Sequence, residues 1–364
     1  METVRTKGPF GGFIEYTVLE DNTCSITNLQ VEGPIKVYPF PVTIAGRKVS
    51  HISNTALMSL SYVEEVEIPD TVKMIGDLVG EGNAFVLTEP EFPDSLKRIS
   101  VEDGNDSYMS VDGVLYSRDQ KILYFYPRKK SNKTFRVAGS TVKISRNAFS
   151  GAMYLEEITV LADEIGEAAF KDCIYLASVF CDVVKVDDRA FANCSSLKSA
   201  TFGNQLEYIG DYAFSNCTSL ASFNSDSDKI NHLSALAFEN CCKLETVSFV
   251  NNKEFIVIDN VVYRSCSAAF ESSFGSIPEG EYGLVTYPSR RGGANYVLPL
   301  NTYCIENGAL SNLEFLHKIL IPSDCIADID QITPEGSVEV EYLSGGVNTP
   351  PNWKIGEDIQ WNIE

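Results

Sequence analysis

The dipeptide Ala-Phe returns at Ala148-Phe149, Ala169-Phe170, Ala190-Phe191, Ala213-Phe214 and Ala237-Phe238, in steps of 21, 21, 23 and 24 residues. A fixed period of this length constrains the fold strongly, because one such unit cannot bury its apolar side and must stack on copies of itself. Seven residues after each Ala stands a leucine, at Leu155, Leu176, Leu197, Leu220 and Leu244. From each leucine runs Leu-x-x-apolar-x-apolar, as in Leu155–Ile158–Val160 and Leu244–Val247–Phe249; Leu220–Phe223–Ser225 breaks the last place. Variant units flank the run at Ala56-Leu57 and Ala309-Leu310. The alternation predicts a short strand with one buried face. The spacing of Ala213, Phe214 and Cys217, with Asp211 as N-cap, predicts about a turn and a half of helix before it. The expected fold is therefore an α/β right-handed solenoid, with a parallel sheet on one side and short helices on the other.

The regular units are interrupted twice, and the interruptions resemble one another. SVDGVLYSRDQKILYFYP ends at Pro127, and a longer segment beginning VIDNVVYRSC ends at Pro288. From Pro127 to Ala148 and from Pro288 to Ala309 are both 21 residues. Asp112-Gly113 and Asp259-Asn260, set between apolar alternation, predict two-residue hairpin turns. The expected organisation is an N-terminal β cap over 1–45, a solenoid over 46–322 with hairpin insertions near 102–136 and 251–298, and a C-terminal cap over 323–364. That last segment carries both tryptophans, Trp353 and Trp361.

The units IGEAAFKDCIYLASVF, VDDRAFANCSSLKSATF and IGDYAFSNCTSLASF resemble the BspA-like class of leucine-rich repeats. So do the hairpin DGVLYSRDQKILYFYP and the segment VTIAGRKVSHISNTAL, and the likeness covers about residues 13 to 322. It implies a leucine-rich-repeat solenoid and a secreted or cell-surface protein that binds a protein or glycan, such as host extracellular matrix. The family pattern contains no catalytic residues. The opening METVRTKGPFGGF lacks the apolar run of a secretory signal, and no stretch approaches the ~20 apolar residues of a membrane span.

Fifty acids against twenty-nine bases give a net charge of −21, which disfavours a nucleic-acid partner. Of ten cysteines, Cys173, Cys194, Cys217 and Cys241 recur in register, with Cys242 beside the last. They are expected as buried thiols filling one layer of the core. No zinc spacing, HExxH, P-loop or nucleophile elbow occurs, so no catalytic residue, metal or cofactor is expected. His51, His232 and His317 fall at unrelated places in the repeat. Acid pairs such as Glu64-Glu65, Glu156-Glu157, Asp163-Glu164 and Asp187-Asp188 are expected to be solvated, although carboxylate pairs also serve glycoside hydrolases. Glu102-Asp103-Gly104-Asn105-Asp106 reads as a turn rather than a calcium loop. Sequons occur at Asn105, Asn132, Asn193 and Asn216, two of them at the repeat's own Asn-Cys position.

In each strand the two positions between the inward residues should face outward. One column is Glu157, Ser178, Ser199, Ser222 and Thr246; the other is Thr159, Phe180, Thr201, Asn224 and Ser248. They predict a hydroxyl-rich face with one exposed aromatic, Phe180, as the anchor for a protein or glycan. The basic runs Arg128-Lys129-Lys130 and Arg290-Arg291 follow Pro127 and Pro288 at matched places and read as loop tips, able to meet sulfated glycans or acidic partners. Three functions stay open: a binding or adhesion scaffold, a structural spacer without a ligand, and a hydrolase built on surface carboxylates.

Overall fold

A computed structural model describes residues 3–81, 84–250, 252–265, 277–288, 294–310, 316–327 and 338–343. The fold is a β-solenoid with parallel sheets and almost no helix; among the described residues the one α-helix is Asn54–Met58. The chain divides into two units, Met1–Leu155 and Glu156–Glu364.

In the second unit the strands Glu157–Leu161, Ser178–Asp182, Ser199–Phe202, Ser222–Ser225 and Thr246–Phe249 pair in parallel, each with its neighbour in the next coil. Their register aligns Ile158, Val179, Ala200, Phe223 and Val247 as one inward row, all buried. At the irregular place in the repeat, Ser225 is buried, and its hydroxyl accepts the Ser227 N–H at 3.2 Å. A second, shorter ladder joins Glu164–Ile165, Lys185–Val186, Tyr208–Ile209 and His232–Leu233.

The expected helices are absent from the Ala-Phe units, and the backbone shows why. In the coils at 168–172, 189–193 and 212–216, two residues four apart take positive φ: Ala168 and Asp172, Arg189 and Asn193, Tyr212 and Asn216. A right-handed helix cannot pass through such residues. Tight turns form instead, and their remaining N–H groups bond to the next coil. Phe170 N–H donates to the Ala190 carbonyl at 2.7 Å, Phe191 to Ala213 at 2.7 Å and Phe214 to Ala237 at 2.8 Å. Asp211 is accordingly no N-cap; its carboxylate accepts the Ser234 hydroxyl at 2.5 Å.

Every level of this wall stacks like on like. Phe170, Phe191, Phe214 and Phe238 form a column with ring centroids 4.9, 5.2 and 5.5 Å apart and planes within 14°. Beside it, the thiols of Cys194, Cys217 and Cys241 donate to the Phe170, Phe191 and Phe214 carbonyls at 3.2, 3.2 and 3.1 Å. Outside these, Asn193 donates to Asp172, Asn216 to Asn193 and Asn240 to Asn216, at 2.7 to 2.9 Å. The sequon asparagines at 193 and 216 are therefore rungs of a side-chain ladder.

In the first unit, Val37–Pro39, Glu65–Ile68 and Arg98–Val101 pair in parallel and bury Tyr38, Val66 and Ile99 in one row. Phe13–Val18 lies antiparallel between Thr3–Lys7 and Cys24–Gln30. Tyr108–Val111 pairs antiparallel with Val114–Ser117 through Asp112-Gly113, both at positive φ as a two-residue turn requires. In the second unit Phe255–Ile258 and Val261–Ser265 pair likewise through Asp259-Asn260. One asparagine braces each arrangement. Asn105, fully buried, donates to the Pro69 and Val72 carbonyls and accepts the Ser107 and Tyr108 N–H groups, all at 2.8 to 2.9 Å. Asn252 repeats this with the Ile230 carbonyl and the Glu254 and Phe255 N–H groups. The 102–106 loop is thus a turn held from within. Strands Asn295–Val297, Lys318–Pro322 and Glu339–Leu343 form a further parallel set, and Trp353 and Trp361 lie outside the described residues.

Candidate functional site

The strand face of the second unit holds the predicted columns in register. Glu157, Ser178, Ser199, Ser222 and Thr246 align along one line, and Thr159, Phe180, Thr201, Asn224 and Ser248 along the other. At about 4.8 Å per strand, five strands make a face roughly 19 Å wide. Phe180 is 45% exposed at its second strand, Ser248 and Glu157 are exposed, and the others are half-buried. Ser248 donates to the Asn224 side chain at 2.8 Å, so hydroxyl and amide groups already bond along the column. Such a face offers donors and acceptors to an extended chain, with one apolar anchor and a single carboxylate at its edge.

Sequence reasoning overlooked two exposed side chains in the turn before the Phe180 strand, Ile174 and Tyr175, at 48% and 56% exposure. The equivalent places hold Met153-Tyr154, also exposed, in the preceding repeat, and Ser195-Ser196 and Thr218-Ser219 in the next two.

The basic run after Pro127 does not behave as one solvated loop tip. Arg128 is ion-paired with Asp94. Lys130 is buried, its ammonium donating to the Asp112 carbonyl at 2.5 Å and lying 3.0 Å from the Asp112 carboxylate. Burying an ammonium requires such a partner, and the tight hairpin turn supplies it. Lys129 remains half-exposed. Arg290 and Arg291 lie outside the described residues.

His51, His232 and the acids Glu64, Glu65, Asp187 and Asp188 are engaged in the framework. His51 hydrogen-bonds Ser25 at 2.8 Å and the Gly76 carbonyl at 2.6 Å. His232 stacks on Tyr208 at 4.3 Å, and His317 donates its backbone N–H to Ala294. Glu64 pairs with Lys97 at 3.0 Å, Glu65 with Arg98 at 3.2 Å and Asp187 with Lys185 at 3.1 Å, while Asp188 accepts the Asp211 N–H at 2.8 Å. Among the described residues no group of three or more His, Cys, Asp or Glu could hold a metal ion, and no helix is long and apolar enough to cross a membrane.

The cysteine column is buried, and desolvation pushes the Cys194 and Cys241 thiols well above the usual range. Burial likewise pushes the Cys325 thiol and the Tyr38, Tyr108 and Tyr116 phenols up to about 12. Unfolded, the thiols would ionise near 9.0 and the phenols near 10.0. Because the folded values are raised, this stabilisation is complete below about pH 9 and is lost as pH climbs toward 12. The thermal midpoint should therefore fall steadily between pH 9 and 11 in a calorimetric series. A flat profile over that interval would contradict burial of these groups.

Comparison with known proteins agrees with the repeat seen in the sequence. The family model described as "BspA type Leucine rich repeat region (6 copies)" matches residues 131–269. A search of curated proteins finds no match. Among solved structures, a leucine-rich cell surface protein from Faecalibacterium prausnitzii is 21% identical over 90% of this chain and 73% of its own, with a TM-score of 0.42. A leucine-rich repeat protein from Eubacterium ventriosum is 15% identical over 70% of this chain and 93% of its own, at 0.44. The pneumococcal vaccine antigen PcpA is 15% identical over 93% and 98%, at 0.38. Residues 131–269, whose Ala-Phe, Cys and Leu positions are buried in register, carry leucine-rich repeats of the BspA type.

Proposed function

We propose that this chain is a non-enzymatic binding or adhesion scaffold, which takes a protein or glycan partner across the strand face of residues 157–249. The carrying observation is that face itself: two in-register columns of hydroxyl and amide side chains around a half-exposed Phe180. An aromatic ring exposed on a hydrogen-bonding sheet offers a partner an apolar anchor. We read the two hairpin-bearing segments as insertions in the wall of a right-handed coil, with 1–45 and 323–364 as its caps. The resemblance to surface proteins supports an extracellular setting with host matrix as partner.

The competing reading, a spacer without a ligand, draws on the small side chains of the same columns, which also suit close strand packing. Arrays of immobilised matrix proteins and glycans separate the two. The wild type should bind at least one component reproducibly, and Phe180→Ala should weaken it about tenfold, the effect of losing one anchor worth about 1.4 kcal/mol. Retention of no component by the wild type would favour the spacer.

A further inference from the structure

We propose that a depression in the first unit binds an anionic sugar residue, at a site separate from the strand face. It encloses about 390 Å³ and is lined by Lys97, Arg98, Lys129 and Lys130, with Tyr154 and the polar Ser131 and Asn132. That volume lies within the range of small-ligand pockets. On a chain carrying −21, four basic side chains meet here and Asp112 is the one carboxylate in the lining.

The backbone brings them together. Lys129 N–H donates to the Leu96 carbonyl at 2.9 Å, setting the 128–132 loop beside Lys97 and Arg98. Met153 N–H donates to the Arg128 carbonyl at 2.9 Å and carries Tyr154 to the same place. The hairpin turn closes the arrangement, because Lys130 is tied to Asp112. Gly113 has no side chain to obstruct Arg98: a Cβ there would lie 2.9 Å from the Arg98 Cγ.

Two of the cations are held by carboxylates from outside the lining. Glu64 lies 3.0 Å from the Lys97 ammonium, and Glu65 lies 3.2 Å from the Arg98 Nε. These contacts fix the head groups before a ligand arrives, which lowers the cost of ordering them on binding. Arg98 keeps its terminal nitrogens for a planar or tetrahedral anion. Lys129 has no carboxylate within ion-pair distance among the described residues, and its positive charge helps hold the Glu64 carboxyl below its usual range, after the larger effect of Lys97. Tyr154 is 49% exposed and stacks on no other ring among the described residues. A half-exposed aromatic face beside fixed cations suits a ligand with an apolar ring face and an anionic substituent. Sulfated and uronate sugars both have that chemistry.

Titration calorimetry on the full chain at low ionic strength tests this. The probes are a heparin-type sulfated tetrasaccharide, its desulfated counterpart, an oligogalacturonate, inorganic sulfate and hexaglutamate. The sulfated sugar or the galacturonate should bind, and which one does identifies the anion. Lys129→Ala and Tyr154→Ala should each weaken it about tenfold. Both substituted side chains are solvent-accessible, and circular dichroism verifies that the variants fold. The proposal is overturned if neither charged sugar binds, or if the Lys129→Ala/Tyr154→Ala double variant binds as the wild type does. It is equally overturned if inorganic sulfate, the desulfated sugar or hexaglutamate binds as tightly as the charged sugars.

Discussion

Phe214→Ala should lower the unfolding free energy by about 4 kcal/mol, the middle of the range for a buried aromatic. Phe214 is fully buried and sits between Phe191 and Phe238, with centroid distances of 5.2 and 5.5 Å. Its edges also meet Phe202 at 6.0 Å and Phe223 at 5.4 Å, nearly at right angles. Truncation therefore removes contacts to two coils at once and leaves a hole between rings that hydrogen-bonded backbone prevents from closing. Stability in stacked repeats is a sum of nearest-neighbour interfaces, and this substitution weakens two of them. Phe180→Ala, at an exposed ring of the same type, should change stability by no more than about 0.5 kcal/mol. Denaturant unfolding of the pair gives the comparison. A cost below about 1 kcal/mol for Phe214→Ala would show that the column is not what holds the coils together.

Arg264→Ala should cost about 3–5 kcal/mol for a different reason. The Arg264 guanidinium lies 2.9 Å from the Glu306 carboxylate, and both side chains are buried. It also donates to the Leu233 carbonyl at 3.3 Å and lies 5.0 Å from the centroid of the Phe255 ring. Removing the cation strands a carboxylate away from water, which is far more costly than the pair is stabilising. The double change Arg264→Met with Glu306→Leu should recover most of the loss, because it leaves no buried charge. If that double variant is as unstable as Arg264→Ala alone, the cost comes from packing and the electrostatic account is wrong.

The strand register was legible because the inward and outward residues differ in kind: Leu, Val and Phe alternate with Ser and Thr over five coils. The turns were not. Ala213, Phe214 and Cys217 recur at a spacing that fits one face of a helix and equally a pair of tight turns. The deciding fact is the positive φ of Tyr212 and Asn216, and nothing about a tyrosine announces it. Asn105 and Asn252 each stand seven residues before the aspartate of a hairpin turn, so their shared role could have been found by aligning the two segments. As a sequon Asn105 drew attention to the surface, yet its amide is wholly consumed inside. The Arg128-Lys129-Lys130 run hid three fates in one string. Which lysine is swallowed by a turn depends on Asp112, a residue from the preceding hairpin.

Because the coils between Phe170 and Cys241 offer one another the same side chains at the ring, thiol and asparagine positions, those rungs are interchangeable. Excision of one whole period would present an asparagine to an asparagine, a ring to a ring and a thiol to a carbonyl. A gene for such a wall can gain or lose a unit without any partner needing to change. The number of strands in the face would change with it, and loss of the period that carries Phe180 would also remove the exposed ring.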